Sequence, residues 1–322
     1  MKSSKTISII IPSKNNADTI RELLISLLNQ TVKPNEIIVV DSSTDNTSEI
    51  VREYPVTLII SPAKGANHAR NVGVKNSTGD ILVFIDGDCK AGKDWLKYII
   101  QGFRKVNIAC VGGSVKTLNL NNIIGLYGEL SIFKLMPIYG NDAIITKENF
   151  SRSKKPVSAN MAITRDVFAE IGDFDEKYIG GYEEFDYEQR ITESGHNILC
   201  SSKAIVEHKH RETFKLLVKQ YYKYGVGSGR FCRKYPFASF TMWHNMNELI
   251  LFGALIAGIL SIKLNIIFLL IILILPIIFM FLYYFISSLR MKNPFIISYF
   301  MVDIIRIYTF YTGQLVGRIK KL

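Results

Sequence analysis

Two carboxylates one residue apart, Asp86 and Asp88 with Gly87 between them, follow directly on the apolar run Ile81–Ile85. A short run of that composition reads as a buried parallel strand, so the pair is delivered at a strand's carboxyl end, where open α/β sheets collect ligands. Carboxylates there can hold a divalent cation, Mg²⁺ or Mn²⁺, that in turn holds phosphate oxygens. The same tripeptide is also good turn chemistry, and in isolation a turn is the commoner explanation. Asp41 ends a second β-branched run, in Val39-Val40-Asp41-Ser42-Ser43. From there it can accept hydrogen bonds from a base or ribose, or cap a helix. Arg70 lies in the segment before the Asp86 strand and can reach a base or diphosphate, or stand as a solvated surface charge. Glu183, Glu184 and Asp186 fall on the first turn of a helix. Negative charge suits the helix dipole there, but like charges so close also raise one pKa, as a general base requires. His208 and His210 flank Lys209 after a strand-like run, where a histidine binds metal or phosphate or is simply structural.

These groups need elements to hold them. From Ile7 to Ile85 short β-branched runs, at 7–11, 37–40, 56–60 and 81–85, alternate with amphipathic stretches. Ile20, Leu23, Leu24, Leu27 and Leu28 recur at helical spacing on one face. Right-handed crossovers make such a series a parallel sheet with helices on both faces, a nucleotide-binding half-domain over residues 1–115. Beyond Asp88 the pattern loosens: Lys93–Lys105 can be helical and Ile108–Val115 is strand-like, whereas 116–156 gives no assignment. Strand character returns at Ser158–Ile163, followed by a short helix that Gly172 can end and by a helix from Glu183 to Ser194.

The chain has 322 residues and is 48% hydrophobic, ample for a core. Its four cysteines, Cys89, Cys110, Cys200 and Cys232, show neither zinc-ligand spacing nor a disulfide framework. The apolar run near the N-terminus is too short for a secretory signal, so the first part of the chain is expected in the cytosol. The net charge of +11 is uneven. Residues 1–200 carry 23 basic and 24 acidic side chains, residues 201–322 carry 16 and 4. Lys215, Lys219 and Lys223 stand among Phe, Leu, Val and Tyr, as on a helix lying on an anionic membrane. Residues 249–262 and 264–286 are then almost uncharged. They read as a membrane hairpin over about 246–288, with basic flanks keeping both ends cytosolic. Residues 294–316 read as an interfacial helix in preference to a third crossing, which would export the basic tail. Membrane lipids, not nucleic acid, are therefore the expected partner of the basic third.

In order and spacing, Ile9-Ile10-Ile11-Pro12-Ser13, Val39-Val40-Asp41, Ala69-Arg70-Asn71 with Gly73, Phe84-Ile85-Asp86-Gly87-Asp88, Ser158-Ala159-Asn160-Met161-Ala162, and Gly172 with Phe174-Asp175-Glu176 through Glu183-Glu184 and Asp186 resemble the family 2 glycosyltransferases. The resemblance spans about residues 6–230 and implies the GT-A fold: Rossmann-like α/β, a mostly parallel sheet with helices on both faces, here followed by C-terminal membrane helices. It implies a cytosolic catalytic domain over 1–230, with an acceptor half from 116, and a membrane region over 231–322. It also implies an inverting transfer from a nucleoside-diphosphate sugar that uses Mg²⁺ or Mn²⁺. Asp41 and Arg70 match base-contacting positions, Asp86 and Asp88 match ribose- and metal-handling ones, and Pro12, Ser13 and Gly87 go with the donor. Asn160 and Met161 go with the acceptor side. Glu184 stands where the family commonly has an aspartate base, with Glu183 and Asp186 as substitutes, and His208 or His210 is a further candidate metal ligand.

Several other readings compete. A polyprenyl-phosphate or glycolipid acceptor fits the basic, aromatic juxtamembrane stretch, though Cys89-Lys90 replaces the Leu-Gln that follows the acidic motif in many dolichyl-phosphate mannose synthases. A nucleotidyltransferase would carry glycines after the first strand, and Lys14-Asn15-Asn16 has none. A processive polymer synthase would carry a Gln-Xaa-Xaa-Arg-Trp signature, missing near Gln220–Tyr224. A membrane scaffold that has kept the fold without activity would fail to bind nucleotide sugars.

Overall fold

A computed structural model describes residues 5–134, 136–178, 180–238 and 267–319, with scattered positions between 241 and 260. The first apolar run of the expected hairpin, 249–262, falls largely outside the described residues. The chain packs as two units, one of Met1–Leu120 and Leu135–His210, the other of Asn121–Lys134 and Arg211–Lys321.

In the first unit, β1 (Ile7–Ser13), α1 (Ile20–Leu28), β2 (Glu36–Asp41), α2 (Thr47–Arg52), β3 (Thr57–Ile60), α3 (Ala66–Lys75) and β4 (Ile81–Ile85) alternate as their periodicity predicts. β5 (Cys89–Ala91), α4 (Trp95–Gly102) and β6 (Ile108–Thr117) follow. After α5 (Ile123–Leu130), which belongs to the second unit, come β7 (Ala143–Ile145), β8 (Asn160–Thr164), α6 (Arg165–Ile171), α7 (Glu183–Glu193) and β9 (Asn197–His208). The strands form one sheet in the order β3-β2-β1-β4-β8-β6-β9-β5, with β7 on β9. β3, β2, β1 and β4 are parallel. The other half is mixed, because β8 inserts antiparallel to both β4 and β6 while β6 and β9 run parallel.

The parallel half fixes where the acidic residues stand. β1 and β4 are buried on both faces, and each enclosed Ile, Leu or Val contributes about 1.5–3 kcal/mol, which locks the strand register. In that register Ser13 pairs with Asp41, so the ends of β1 and β2 lie level, and Asp86 follows the last residue of β4. Ile20, Leu23, Leu24 and Leu27 are the buried face of α1. α3 presses directly on β1: a Cβ on Gly73 would lie 2.4 Å from Ile10 Cγ2, which brings the helix, and Arg70 one turn earlier, close to the strand ends.

The second unit contains α5, α8 (Phe214–Lys234) and two apolar helices, Ile267–Met291 and Tyr299–Ile319. Stretches Ile274–Met291 and Pro294–Ile319 are long and apolar enough to cross a membrane. Helix Tyr299–Ile319 nevertheless encloses Asp303 and Arg306. Such groups survive in apolar surroundings only when paired and hydrogen-bonded. Asp303 accepts from Tyr127 Oη at 2.5 Å, from Ser131 Oγ at 2.9 Å and from Tyr284 Oη. Arg306 Nη1 donates to the Phe133 carbonyl (2.8 Å) and the Tyr221 hydroxyl (3.2 Å). The network ties residues 127–133 to the helices. α8 meets the last helix through Gly225 and Gly229 facing Gly313 and Gly317, where added Cβ atoms would fall 1.9–2.3 Å from opposing carbonyl oxygens.

Candidate active site

Arg70 is the hub of the strand-end groups. It is 1% exposed, yet its Nη2 donates to Asp86 Oδ1 at 2.8 Å and its Nη1 to Glu183 Oε1 at 3.2 Å and Asn67 Oδ1 at 3.0 Å. Burial works against the guanidinium charge, but Asp86, Glu183 and Glu184 outweigh it and raise its pKa. One cation thereby joins the acidic end of β4 to the first turn of α7, where Glu183 lies 113 residues after Arg70. Asn67 and Asn71, four residues apart on the same helix, brace the segment leading to α7. Asn67 Nδ2 donates to the carbonyls of Asp175 and Tyr178, and Asn71 bonds the Phe174 backbone in both directions. In the sequence Asn71 stands in the Arg70 motif without a role of its own and Asn67 is unmarked; their i, i+4 spacing, with Arg70 between, is the available signal.

Glu184 has an enclosed Oε2 with no hydrogen-bond partner among the described residues. Burial pushes its carboxyl well above the ordinary carboxylate range and Glu183 pushes it further, against its own backbone N–H and Arg70. Glu183 is engaged by Arg70 and by Ser158 Oγ at 3.4 Å. Asp186 goes elsewhere. It is fully enclosed and accepts from Arg190 Nε at 3.1 Å, and Arg190 donates on to the carbonyls of Ile171 and Asp173, so this carboxylate braces α7. The chain enters α7 through Gly180, Gly181 and Tyr182, all at positive φ. Tyr182, at φ 71°, occupies a region that costs a bulky residue about 1–3 kcal/mol.

At the other end of the motif, Asp88 Oδ1 is enclosed with no hydrogen-bond donor among the described residues. It lies 3.3 Å from His208 Nε2. β5 and β9 pair antiparallel with Cys89 opposite His208, which brings the histidine in. Ligand atoms of Asp88, Cys89 and His208 all lie within 4.8 Å of one another. Burial, and then Asp88, push the Cys89 thiol well up, and the carboxylate and imidazole are the harder donors of the three. An oxygen and a nitrogen converging without a hydrogen bond between them fit a hard divalent cation such as Mg²⁺ or Mn²⁺. His210 is not in that group; its ring packs against His208 at 5.2 Å. Asp41 is enclosed at the end of β2 and accepts from Ser43 Oγ at 2.6 Å and from Ser48 Oγ. Pro12 and Ser13 are buried at the end of β1, and the Gly87 carbonyl accepts from Thr19 Oγ1 at 2.9 Å.

Asn160 and Met161, expected on the acceptor side, are both fully enclosed. Asn160 Nδ2 donates to the carbonyls of Ser114 and Ala204, and its Oδ1 accepts from Trp95 Nε1, so the side chain cross-braces the mixed half of the sheet. Met161 packs in the core beside Phe84. Among the described residues neither side chain makes a hydrogen bond to Asp86, Asp88 or the carboxylates of α7.

A Rossmann-like sheet with carboxylates at the carboxyl ends of its parallel strands is an architecture of GT-A type. The mannosyltransferase PcManGT from Pyrobaculum calidifontis, solved in complex with GDP-Man and Mn²⁺, shares this fold. Its TM-score is 0.68 at 18% identity, covering 98% of this chain and 88% of that one. The family profile Glycosyl transferase family 2 matches residues 8–168. The glycosyltransferase AglE of Haloferax volcanii is 30% identical over 234 residues, 70% of this chain and 72% of that protein. The glucosyl-dolichyl phosphate glucuronosyltransferase of Haloferax volcanii is 24% identical over 244 residues, covering 70% and 77%. The chain belongs to glycosyl transferase family 2.

Proposed function

We propose that the protein moves a sugar from a nucleoside-diphosphate sugar, UDP- or GDP-linked, to a lipid-linked acceptor, with inversion at the anomeric carbon. The observation carrying this reading is the Glu184 carboxyl, raised in basicity and unpartnered at Oε2, set beside Glu183 on the guanidinium that also holds Asp86. Glu184 takes the proton of the attacking group. Arg70 keeps Glu183 and Asp86 in place and so fixes the distance between acceptor and donor ends of the site. Asp88 and His208, with Asp86 beside them, would hold the divalent cation, which when bound neutralises charge on the departing diphosphate. Asp41, Pro12, Ser13 and Gly87 line the strand ends where the nucleoside lies.

Residues 1–230 act as the catalytic domain at the cytosolic face. Residues 231–322 anchor it, with Lys215, Lys219 and Lys223 of α8 meeting anionic headgroups. The relative named for glucosyl-dolichyl phosphate supports a lipid-linked acceptor.

The test uses the full chain, purified in detergent, against a panel of UDP- and GDP-sugars with Mn²⁺. Release of nucleoside diphosphate and label in an organic-extractable product are read out. Glu184→Gln is expected to lower transfer by about 10²–10⁴-fold while donor binding persists. Asp88→Ala is expected to abolish metal-dependent turnover in folded protein. Wild-type rates in both variants refute the assignment.

A further inference from the structure

Resting on the cytosolic membrane anchoring above, we propose that the last helix, Tyr299–Ile319, does not cross the bilayer but lies along its surface, with an open apolar stripe of Met301, Ile305, Leu315 and Ile319 set into the lipid. Both C-terminal helices are long and apolar enough to span, but their surroundings differ. In helix Ile267–Met291, only Tyr284 and Ser288 are buried from Ile274 onward, so apolar side chains stand open on nearly every side. Lipid covers a helix of that kind. The last helix is two-faced instead. Asp303, Arg306, Gly313, Gln314 and Gly317 are buried, whereas the four residues of the stripe are 37–72% exposed. A helix with one apolar open face and polar groups on the other rests at the boundary between headgroups and acyl chains.

Its neighbours fix its depth. α8 and the last helix run parallel: Gly225 faces the Phe310 carbonyl and Gly229, one turn on, faces that of Gln314, while Gly313 and Gly317 face the carbonyls of Tyr222 and Val226. Backbones in such contact share one depth, so if either helix crosses the bilayer, both do. α8 is unfit to cross. Lys215, Lys219 and Lys223 stand exposed along its first half, Arg230, Arg233 and Lys234 crowd its last turns, and it holds no acidic residue; a crossing would carry Lys223 to the bilayer centre. The start of the last helix is held as well. Asp303 accepts from Tyr127 and Ser131, and Arg306 donates to the Phe133 carbonyl, in a segment whose chain neighbours Leu120 and Leu135 both belong to the first unit. That segment is too short to cross a membrane and return. The hydroxyls of Tyr283 and Tyr284 donate to the Leu130 carbonyl and to Asp303, which sets this tyrosine pair at the water boundary, as in aromatic belts. From there back to Ile267 the spanning helix runs roughly 25 Å, most of a hydrocarbon core of about 30 Å.

The experiment uses the full-length protein in sealed inside-out membrane vesicles from expressing cells, whose outer face is the cytosolic one. Lys219→Cys on α8 and Ile319→Cys on the last helix are labelled from outside with a membrane-impermeant maleimide; the unsubstituted protein, with its four buried cysteines, gives the background, and detergent-opened vesicles give full labelling. Both positions are expected to label fully without detergent. In proteoliposomes of phosphatidylcholine and phosphatidylglycerol, a bimane on Leu315→Cys should be quenched more by nitroxides high on the acyl chain than by nitroxides near its end, as for a face about 5–10 Å into the boundary. Labelling of one position without the other overturns the proposal, as does quenching strongest at the chain ends or absent at both depths. Protection of both positions, or extraction of the unsubstituted protein by alkaline carbonate, instead overturns the cytosolic anchoring on which the proposal rests.

Discussion

Replacing Arg70 by methionine removes the cation shared by Asp86 and Glu183 while keeping most of the side chain's bulk. Unit charges about 4 Å apart attract by about 4 kcal/mol at an effective dielectric of 20. Arg70 makes two such contacts, offset by the cost of burying the guanidinium. The two partners differ: the Asp86 side chain is 30% exposed and can rehydrate, but Glu183 is only 11% exposed and is left stranded. Removing one member of a buried pair typically costs about 3–5 kcal/mol. For a unit of this size each kcal/mol moves the thermal midpoint by roughly 2–4 °C, so the variant should melt about 6–20 °C lower. Tryptophan fluorescence follows the transition, with Trp95 enclosed in the core. Adding Glu183→Gln to Arg70→Met should recover part of the loss, since the stranded charge is its main source. A midpoint within about 2 °C of wild type, or no recovery in the double variant, refutes the hub role of Arg70.

Glu184 predicts opposite signs for activity and stability. Its carboxyl is raised in the folded state by burial and then by Glu183, so its stabilising contribution is complete at acidic pH and is lost as pH rises through the folded value. Glu184→Gln should therefore leave the melting temperature unchanged in acid and raise it at neutral to alkaline pH, while wild-type transfer increases over that same interval. His208→Ala should weaken Mn²⁺ binding by about 10- to 100-fold in a calorimetric titration, because Asp88 loses its converging nitrogen. Gly225→Leu would drive a Cβ to 1.9 Å from the Phe310 carbonyl oxygen, so the helices must separate. It should cost about 1–3 kcal/mol and show as earlier thermal aggregation in detergent.

The parallel half of the sheet was legible because its signals are local and handed. β-branched runs make strands, α1 carries its apolar face at helical spacing, and right-handed crossovers then place Asp41 and Asp86 at the same end of the sheet, on the strands either side of β1. The mixed half was not. β8 reads as a strand, but nothing local says that it inserts antiparallel between β4 and β6, so Asn160 could not be recognised as a buried cross-brace nor Met161 as a core residue. Asp186 shares its turn with Glu183 and Glu184, and its i, i+4 spacing to Arg190 was a local signal; what the sequence did not give is that Arg190 goes on to the carbonyls of Ile171 and Asp173. Residues 123–130 gave no periodic signal; their helix is fastened by Asp303, which is 176 residues from Tyr127 in the chain.

The sequence by itself determined the family, the acidic chemistry at the ends of β-branched strands and the basic, apolar character of the last third. Each of these is a property of composition or short spacing. Only the tertiary structure decided the partners: Arg70 with both Asp86 and Glu183, His208 and not His210 beside Asp88, Tyr182 against Phe185 next to the candidate base. Most of those pairings depend on strand order and antiparallel register, which the whole core fixes through burial and no single segment encodes.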